Sequence, residues 1–159
     1  MECNPKGQGQ SHHQIGTWES LRQALGFFEA NFAVPQINCL EVWGDRRDVR
    51  RMRAATTLAL THSAGYVLYA DPNPLKTPDH LHDWYPLWDA KLGKPAGSCA
   101  KRADGAYERE FAAGSVIYNP LENGKAVAVK FLTQRTRVSD GSKGVEFTVE
   151  KCDGDIFLK

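Results

Sequence analysis

The chain has 159 residues, 42% hydrophobic and 25% charged, with 20 basic against 19 acidic residues and a net charge of +1. These proportions are ordinary for a folded soluble protein and exclude wholesale disorder. A charge this small gives no long-range field to gather nucleic acid or an anionic membrane, so neither is expected as a partner.

No apolar run approaches the roughly 20 residues needed to span a bilayer. Residues 1–6 lack the apolar core of a signal peptide, so the compartment stays open beyond a soluble chain. Cys3, Cys39, Cys99 and Cys152 are scattered without a C-x-x-C spacing, which reads as isolated thiols and predicts neither a zinc site nor a redox pair.

In chain order, residues 1–16 are polar, rich in Gly, Gln and His, and read as a loop or frayed end. Thr17 is a candidate N-cap, and Trp18, Leu21, Leu25, Phe28 and Phe32 recur at steps of three and four, predicting one apolar helix face. Pro35 breaks that pattern, and 37–42 suits a buried strand ended by Trp43-Gly44. Asp45 or Asp48 can cap a second helix through Val49, Met52, Ala55, Ala59 and Leu60, with Gly65 as its stop. A second buried strand follows at 66–70, so strand-helix-strand implies two parallel strands joined by a right-handed crossover.

After Asp71, Pro72, Pro74 and Pro78 predict a long irregular loop, of the kind that carries sites at the C-terminal ends of parallel strands. Trp84, Tyr85, Leu87, Trp88 and Leu92 suggest a short helix or turns, and 93–105 reads as a linker. Beyond Tyr107 the period becomes two. Strands are predicted at 115–118, 127–131, 145–149 and 156–158, with turns at Asn119-Pro120, Asn123-Gly124 and Asp153-Gly154.

The fold class these elements predict is α/β plus all-β: the C-terminal segment of a partial (β/α)8 (TIM) barrel, then a small antiparallel β-sandwich. The expected divisions are a polar N-terminus at 1–16, final βα units at 17–98 and the sandwich domain at 105–159. A complete barrel takes about 250 residues, so the chain reads as the C-terminal part of a larger protein. Open strand edges on an incomplete barrel would favour self-association or instability.

Three groups of residues carry a family likeness: 45–65 with Arg51-Met52-Arg53-Ala54-Ala55, then His82-Asp83-Trp84-Tyr85-Pro86-Leu87-Trp88-Asp89 with Leu92-Gly93-Lys94-Pro95, then Tyr107-Glu108-Arg109-Glu110-Phe111 with Gly114 and Asn119-Pro120. Together they resemble the C-terminal part of barrel-type glycoside hydrolases, and the closing 153–158 looks like the end of their accessory β-domain. The resemblance implies a barrel acting on glycosidic bonds, with its acid and nucleophile at the ends of the fourth and seventh strands. The earlier of those two would lie upstream of Met1.

Glu41 stands near the end of the first strand and is the candidate catalytic carboxylate, one of the pair that glycoside hydrolysis needs. Under the resemblance it matches the nucleophile position; as a plain strand residue it is equally an ion-pair partner. Asp71 is the alternative carboxylate or a hydrogen-bonder to sugar, against a role in starting the turn at Pro72.

Trp43 and Trp84 are the aromatics expected to face ligand, because flat rings pair with the apolar faces of sugars, although core packing accounts for most such rings. His82 and Asp83 complete the substrate-binding set. His80, His82 and Asp83 could chelate, but no further ligand is placed, so no metal or cofactor is expected. Arg46, Arg47, Arg50, Arg51 and Arg53 read as a solvated face paired with nearby carboxylates.

The expected activity is hydrolysis of O-glycosidic bonds in an oligo- or polysaccharide. The alternatives are a non-catalytic carbohydrate-binding or interaction module, or a truncated inactive product.

Overall fold

The computed structural model describes residues 17–34, 38–71 and 81–159, without the side chains of Asp71, Leu81 and His82. The polar stretch 1–16, the loop expected at 72–80 and His80 lie outside the described residues. Two helices, α1 (Trp18–Asn31) and α2 (Val49–His62), accompany nine described strands. These are β1 (Cys39–Trp43), β2 (Tyr66–Asp71), β3 (Leu81–His82), β4 (Ala100–Lys101), β5 (Tyr107–Phe111), β6 (Gly114–Asn119), β7 (Val127–Arg137), β8 (Lys143–Val149) and β9 (Asp153–Leu158). They form two sheets, ordered β1-β2-β3 and β4-β5-β6-β9-β7-β8.

This mainly-β architecture overturns the partial (β/α)8 barrel. β1 and β2 do pair in parallel, from Cys39 opposite Tyr66 to Trp43 opposite Ala70, across the crossover through α2. The next strand, β3, then turns back antiparallel on β2, with Ala70 opposite His82. A barrel would bring another parallel strand there. The side of α2 that a barrel leaves to solvent is covered instead by β9 and β6 of the antiparallel sheet.

The sandwich expectation is corrected as well, because one continuous six-stranded sheet supplies both walls. A register shift in β7 between Lys130 and Arg135 curls the β7–β8 hairpin. Its far end pairs with β9 through Thr136 and Arg137. Val127, Val129, Phe147 and Val149 of the hairpin thereby cover Ile117 and Phe157 on the side away from the helices.

The N-caps follow the sequence. Thr17 Oγ1 accepts from Ser20 N at 3.1 Å, and Asp48 Oδ1 accepts from Arg51 N at 3.0 Å. Asp45, the other candidate cap, instead accepts from Arg47 N at 2.8 Å within the loop. In α1 the apolar stripe is buried at Trp18, Leu21 and Leu25, whereas Phe32 has left the helix, 47% exposed, and stacks on Phe28. Gly65 does not cap α2, which ends on Ser63. A side chain at Gly65 would collide with the Asn38 carbonyl, so the glycine lets two backbones meet.

Helix α2 is buried on nearly every side, through Met52, Ala54, Ala55, Thr56, Thr57, Leu58, Ala59 and Thr61. Small residues bring it close to both sheets, and two of the threonines return their hydroxyls to the helix backbone, Thr57 to Arg53 O and Thr61 to Thr57 O. The linker expectation at 93–105 gives way to an edge hydrogen-bonded along β5, through Ala96 N to Glu110 O and β4 opposite Tyr107 and Glu108. A single cluster of buried residues runs from Trp18 through α2 to Ile156.

Two arginines in the first half of α2 tie it to β9 and to the turn before that strand. Arg53 Nε and Nη2 donate to the two oxygens of Asp153 at 2.9 and 2.7 Å, and Arg50 donates to the Lys151 carbonyl. The turn predicted at Asp153-Gly154 lies inside β9 instead, because Gly154 is where Thr57 of α2 presses on the strand. The chain reverses just before it, with Cys152 at φ 50°, a left-handed conformation unusual for a residue with a side chain. Replacing Arg53 with Met strands the Asp153 carboxylate in a largely buried position, and we expect a loss of about 3 kcal/mol in urea denaturation. The double change Arg53→Met with Asp153→Asn should recover part of it.

At the C-terminal end of α2, Arg109 of β5 donates to the carbonyls of Leu60 and Ser63, satisfying acceptors the helix leaves open. His62 lies there against Tyr107, 4.7 Å between ring centroids, with Nδ1 2.8 Å from Thr61 Oγ1 and Nε2 3.8 Å from Cys99 Sγ. Burial, aided by the Arg22 charge, holds the imidazole down at about 4, while burial pushes the Cys99 thiol up. A base so weak cannot take a proton from a thiol so weakly acidic, so the pair packs rather than reacts.

An unfolded histidine titrates near 6.5, so between about 6.5 and 4 the unfolded chain binds a proton that the folded one does not. The stability due to neutral His62 is complete above that window and is lost as pH falls through it. Denaturation across the window should show a loss of about 3 kcal/mol that His62→Phe lacks.

Candidate functional site

The candidate site is built where β1 and β2 end. Leu40, Val42 and Tyr69 face the core beside α2, so alternation places Cys39, Glu41 and Trp43 on the other face of β1. Glu41 is exposed, with Leu68 opposite it in β2, and Trp43 is half-buried. Gly44 N extends the ladder by donating to Ala70 O at 3.0 Å.

Two tyrosine hydroxyls fix the loop that follows. Tyr69, wholly buried, donates to Asp45 O at 2.9 Å, and Tyr85, from the segment after β3, donates to Arg46 O at 3.1 Å. Their rings meet edge to face at 5.9 Å. Burial raises the Tyr69 phenol well above its ordinary range, so its proton stays on the bond to the carbonyl. The backbone at Gly44 passes so close that a Cβ there would strike the Tyr69 hydroxyl and lie 2.9 Å from Arg51 Cδ.

The same segment carries Asp83 and Trp84. Asp83 Oδ1 lies 3.9 Å from Arg46 Nη1, with both side chains partly exposed to solvent. Trp84 is 70% exposed, and its Nε1 donates to Asp89 Oδ1 at 3.0 Å. Its ring stands edge to face on Trp88, which in turn donates to Thr56 of α2 at 2.9 Å. An exposed indole held from two sides is a rigid platform for the apolar face of a ring-shaped ligand.

Among the residues expected from sequence, the structure brings Asp83 and Trp84 beside the loop that follows Trp43. Glu41 stands two residues before Trp43 on the same face of β1. Asp71 and His82 are placed by their backbones alone, Asp71 opposite Leu81 and His82 opposite Ala70. Among the described residues, no group of three His, Cys, Asp or Glu could hold a metal ion. Arg46, read as part of a solvated face paired with carboxylates, does meet one in Asp83, whereas the anchoring role of the Tyr69 and Tyr85 hydroxyls was missed. A glycine immediately after the strand, at Gly44, is the one signal that a backbone is tightly approached there.

A family model described as hypothetical glycosyl hydrolase family 15 matches residues 45–115, less than half of the chain. This supports a glycoside hydrolase-like domain. The matched stretch contains Asp71, His82, Asp83 and Trp84, and begins after Glu41 and Trp43. No curated protein matches the chain. Among the described residues, no helix is long and apolar enough to cross a membrane.

The close approach at Gly44 is directly testable. Gly44→Ala should cost about 1–3 kcal/mol, the usual penalty for forcing a methyl into a packed site. Tyr69→Phe should cost about 1 kcal/mol for its lost hydrogen bond. The combined variant should be less destabilised than the sum of the two, since the phenylalanine vacates the space the methyl needs. Thermal melts of the three variants would measure the coupling.

Proposed function

We propose that the chain is a glycoside hydrolase-like protein that binds an oligo- or polysaccharide at the C-terminal ends of β1 and β2 and hydrolyses its O-glycosidic bonds with Glu41 as one carboxylate. Trp43, Asp71, His82, Asp83 and Trp84 shape the sugar site. The observation that carries this reading is the coincidence of the family match with an exposed, braced Trp84 next to Asp83.

In this reading Trp84 stacks on a sugar ring, while Asp83 accepts hydrogen bonds from hydroxyl groups. Glu41, exposed on its strand face, would act as nucleophile or base toward the anomeric carbon or its attacking water. Such chemistry needs a second carboxyl, about 5–5.5 Å away for retention of configuration or 6.5–9.5 Å for inversion.

A second reading, carbohydrate binding without cleavage, draws on a specific observation. The other described side chains of that face of β1 and β2 are Cys39, Trp43, Tyr66, Leu68 and Ala70, and none is a carboxyl. One experiment separates the two readings: incubation of the protein and of Glu41→Gln with a glycan panel, following both release of reducing ends and binding. Hydrolysis that falls about a hundredfold or more in Glu41→Gln, with binding kept, supports catalysis. Equal rates in both proteins would remove Glu41 from the mechanism, and binding with no cleavage by either would establish the second reading.

A further inference from the structure

We propose that Arg46 contacts the ligand, that the Tyr69 and Tyr85 hydroxyls position it, and that Arg46, Asp83 and Trp84 form one recognition unit for the vicinal hydroxyls of an uncharged sugar. The proposal rests on the carbohydrate reading above and adds to it a residue and a ligand class.

The backbone on both sides of the Arg46 Cα is fixed. The carbonyls of Asp45 and Arg46, consecutive along the chain, each accept a tyrosine hydroxyl, and Asp45 Oδ1 closes the turn onto Arg47 N. Helix α2 starts directly afterwards, capped by Asp48. A loop tied at successive carbonyls has little backbone ordering left to do on binding. Tyr85 adds a second constraint, because it follows Asp83 and Trp84 in the chain. One hydroxyl thus links the carbonyl of Arg46 to the segment that carries the other two groups.

The charges on the unit indicate what it takes. The Arg46 and Asp83 side chains are 40% and 45% exposed, and their 3.9 Å separation is longer than a hydrogen bond. A guanidinium offers five donors and a carboxylate only acceptors, so both can serve a third group while still attracting each other. A hydroxyl both donates and accepts, and two adjacent ones on a sugar match an acceptor beside a donor. An anionic sugar would gain from Arg46 and lose to Asp83, so the unit favours neutral ligands. The exposed face of Trp84 supplies the apolar contact that separates a sugar ring from water.

The test uses the full chain, with calorimetric titrations against cellotetraose, maltotetraose and mannotetraose, and tetragalacturonate as the charged control. Binding of a neutral tetrasaccharide is expected, abolished by Trp84→Ala, weakened at least tenfold by Arg46→Gln at unchanged melting temperature, and partly restored by Arg46→Lys. Tyr85→Phe should weaken binding several-fold in the parent and by a clearly smaller factor in the Arg46→Gln background, where only its hold on the segment of Asp83 and Trp84 is left to lose, whereas a merely structural role of Tyr85 would give equal losses.

If binding is abolished by Trp84→Ala yet unchanged in Arg46→Gln, the inference about Arg46 falls and the carbohydrate reading stands. Equal losses from Tyr85→Phe in both backgrounds would remove the positioning role. Tighter binding of tetragalacturonate would overturn the neutral ligand class. Failure of the unaltered protein to bind any of the four would sink the proposal, and lack of binding and cleavage across the wider panel would sink the carbohydrate reading with it.

Discussion

The structure depends on α2 being narrow enough to lie between two sheets at once. Its buried residues are mostly alanine and threonine, and the hydroxyls of Thr57 and Thr61 are spent on the helix's own carbonyls. That combination gives a helix with little bulk and few polar demands on its neighbours. One side receives β1 and β2, and the other receives β6 and β9. The parallel pair and the antiparallel sheet therefore share a core, and the loop leading into α2 starts at the end of β1, where Tyr69 and Tyr85 hold it.

Charge placement follows the same geometry. Arg53 crosses from α2 to Asp153, a partner 100 positions further along the chain, and Arg109 crosses back from β5 to the last carbonyls of the helix. Arg46, at the other end, meets Asp83. The arginine-rich stretch is thus divided between tying the helix to its sheet and facing the solvent beside Trp84.

Local pattern revealed much of this and misjudged its context for identifiable reasons. Thr17, the first half of the α1 stripe, the parallel β1–β2 pair and the alternation of β7 and β8 were all legible, because each depends on residues near in sequence. The barrel reading failed because a strand-helix-strand unit looks the same whether its helix faces water or a second sheet. The sign that could have corrected it is the lack of a polar stripe along 52–61. Asp153-Gly154 was misread as a turn because a glycine that admits a neighbouring side chain has the same letter as one that bends the chain. In the site, the exposure of Trp84 was legible, whereas Trp43, expected to face ligand as well, is half-buried. The tyrosine anchors were not legible, since a buried phenol reveals its acceptor only when the chain has folded.

The contact between Thr57 and Gly154 has a consequence for how α2 is seated. The strand offers one notch without a side chain, and the threonine drops into it like a key, with the Ile117 carbonyl closing the opposite wall. Sliding the helix by a single position would drive a different side chain against a ridge. The notch therefore gauges the depth of α2, and through its capped first turn it levels the Arg46 loop from the far side of the molecule.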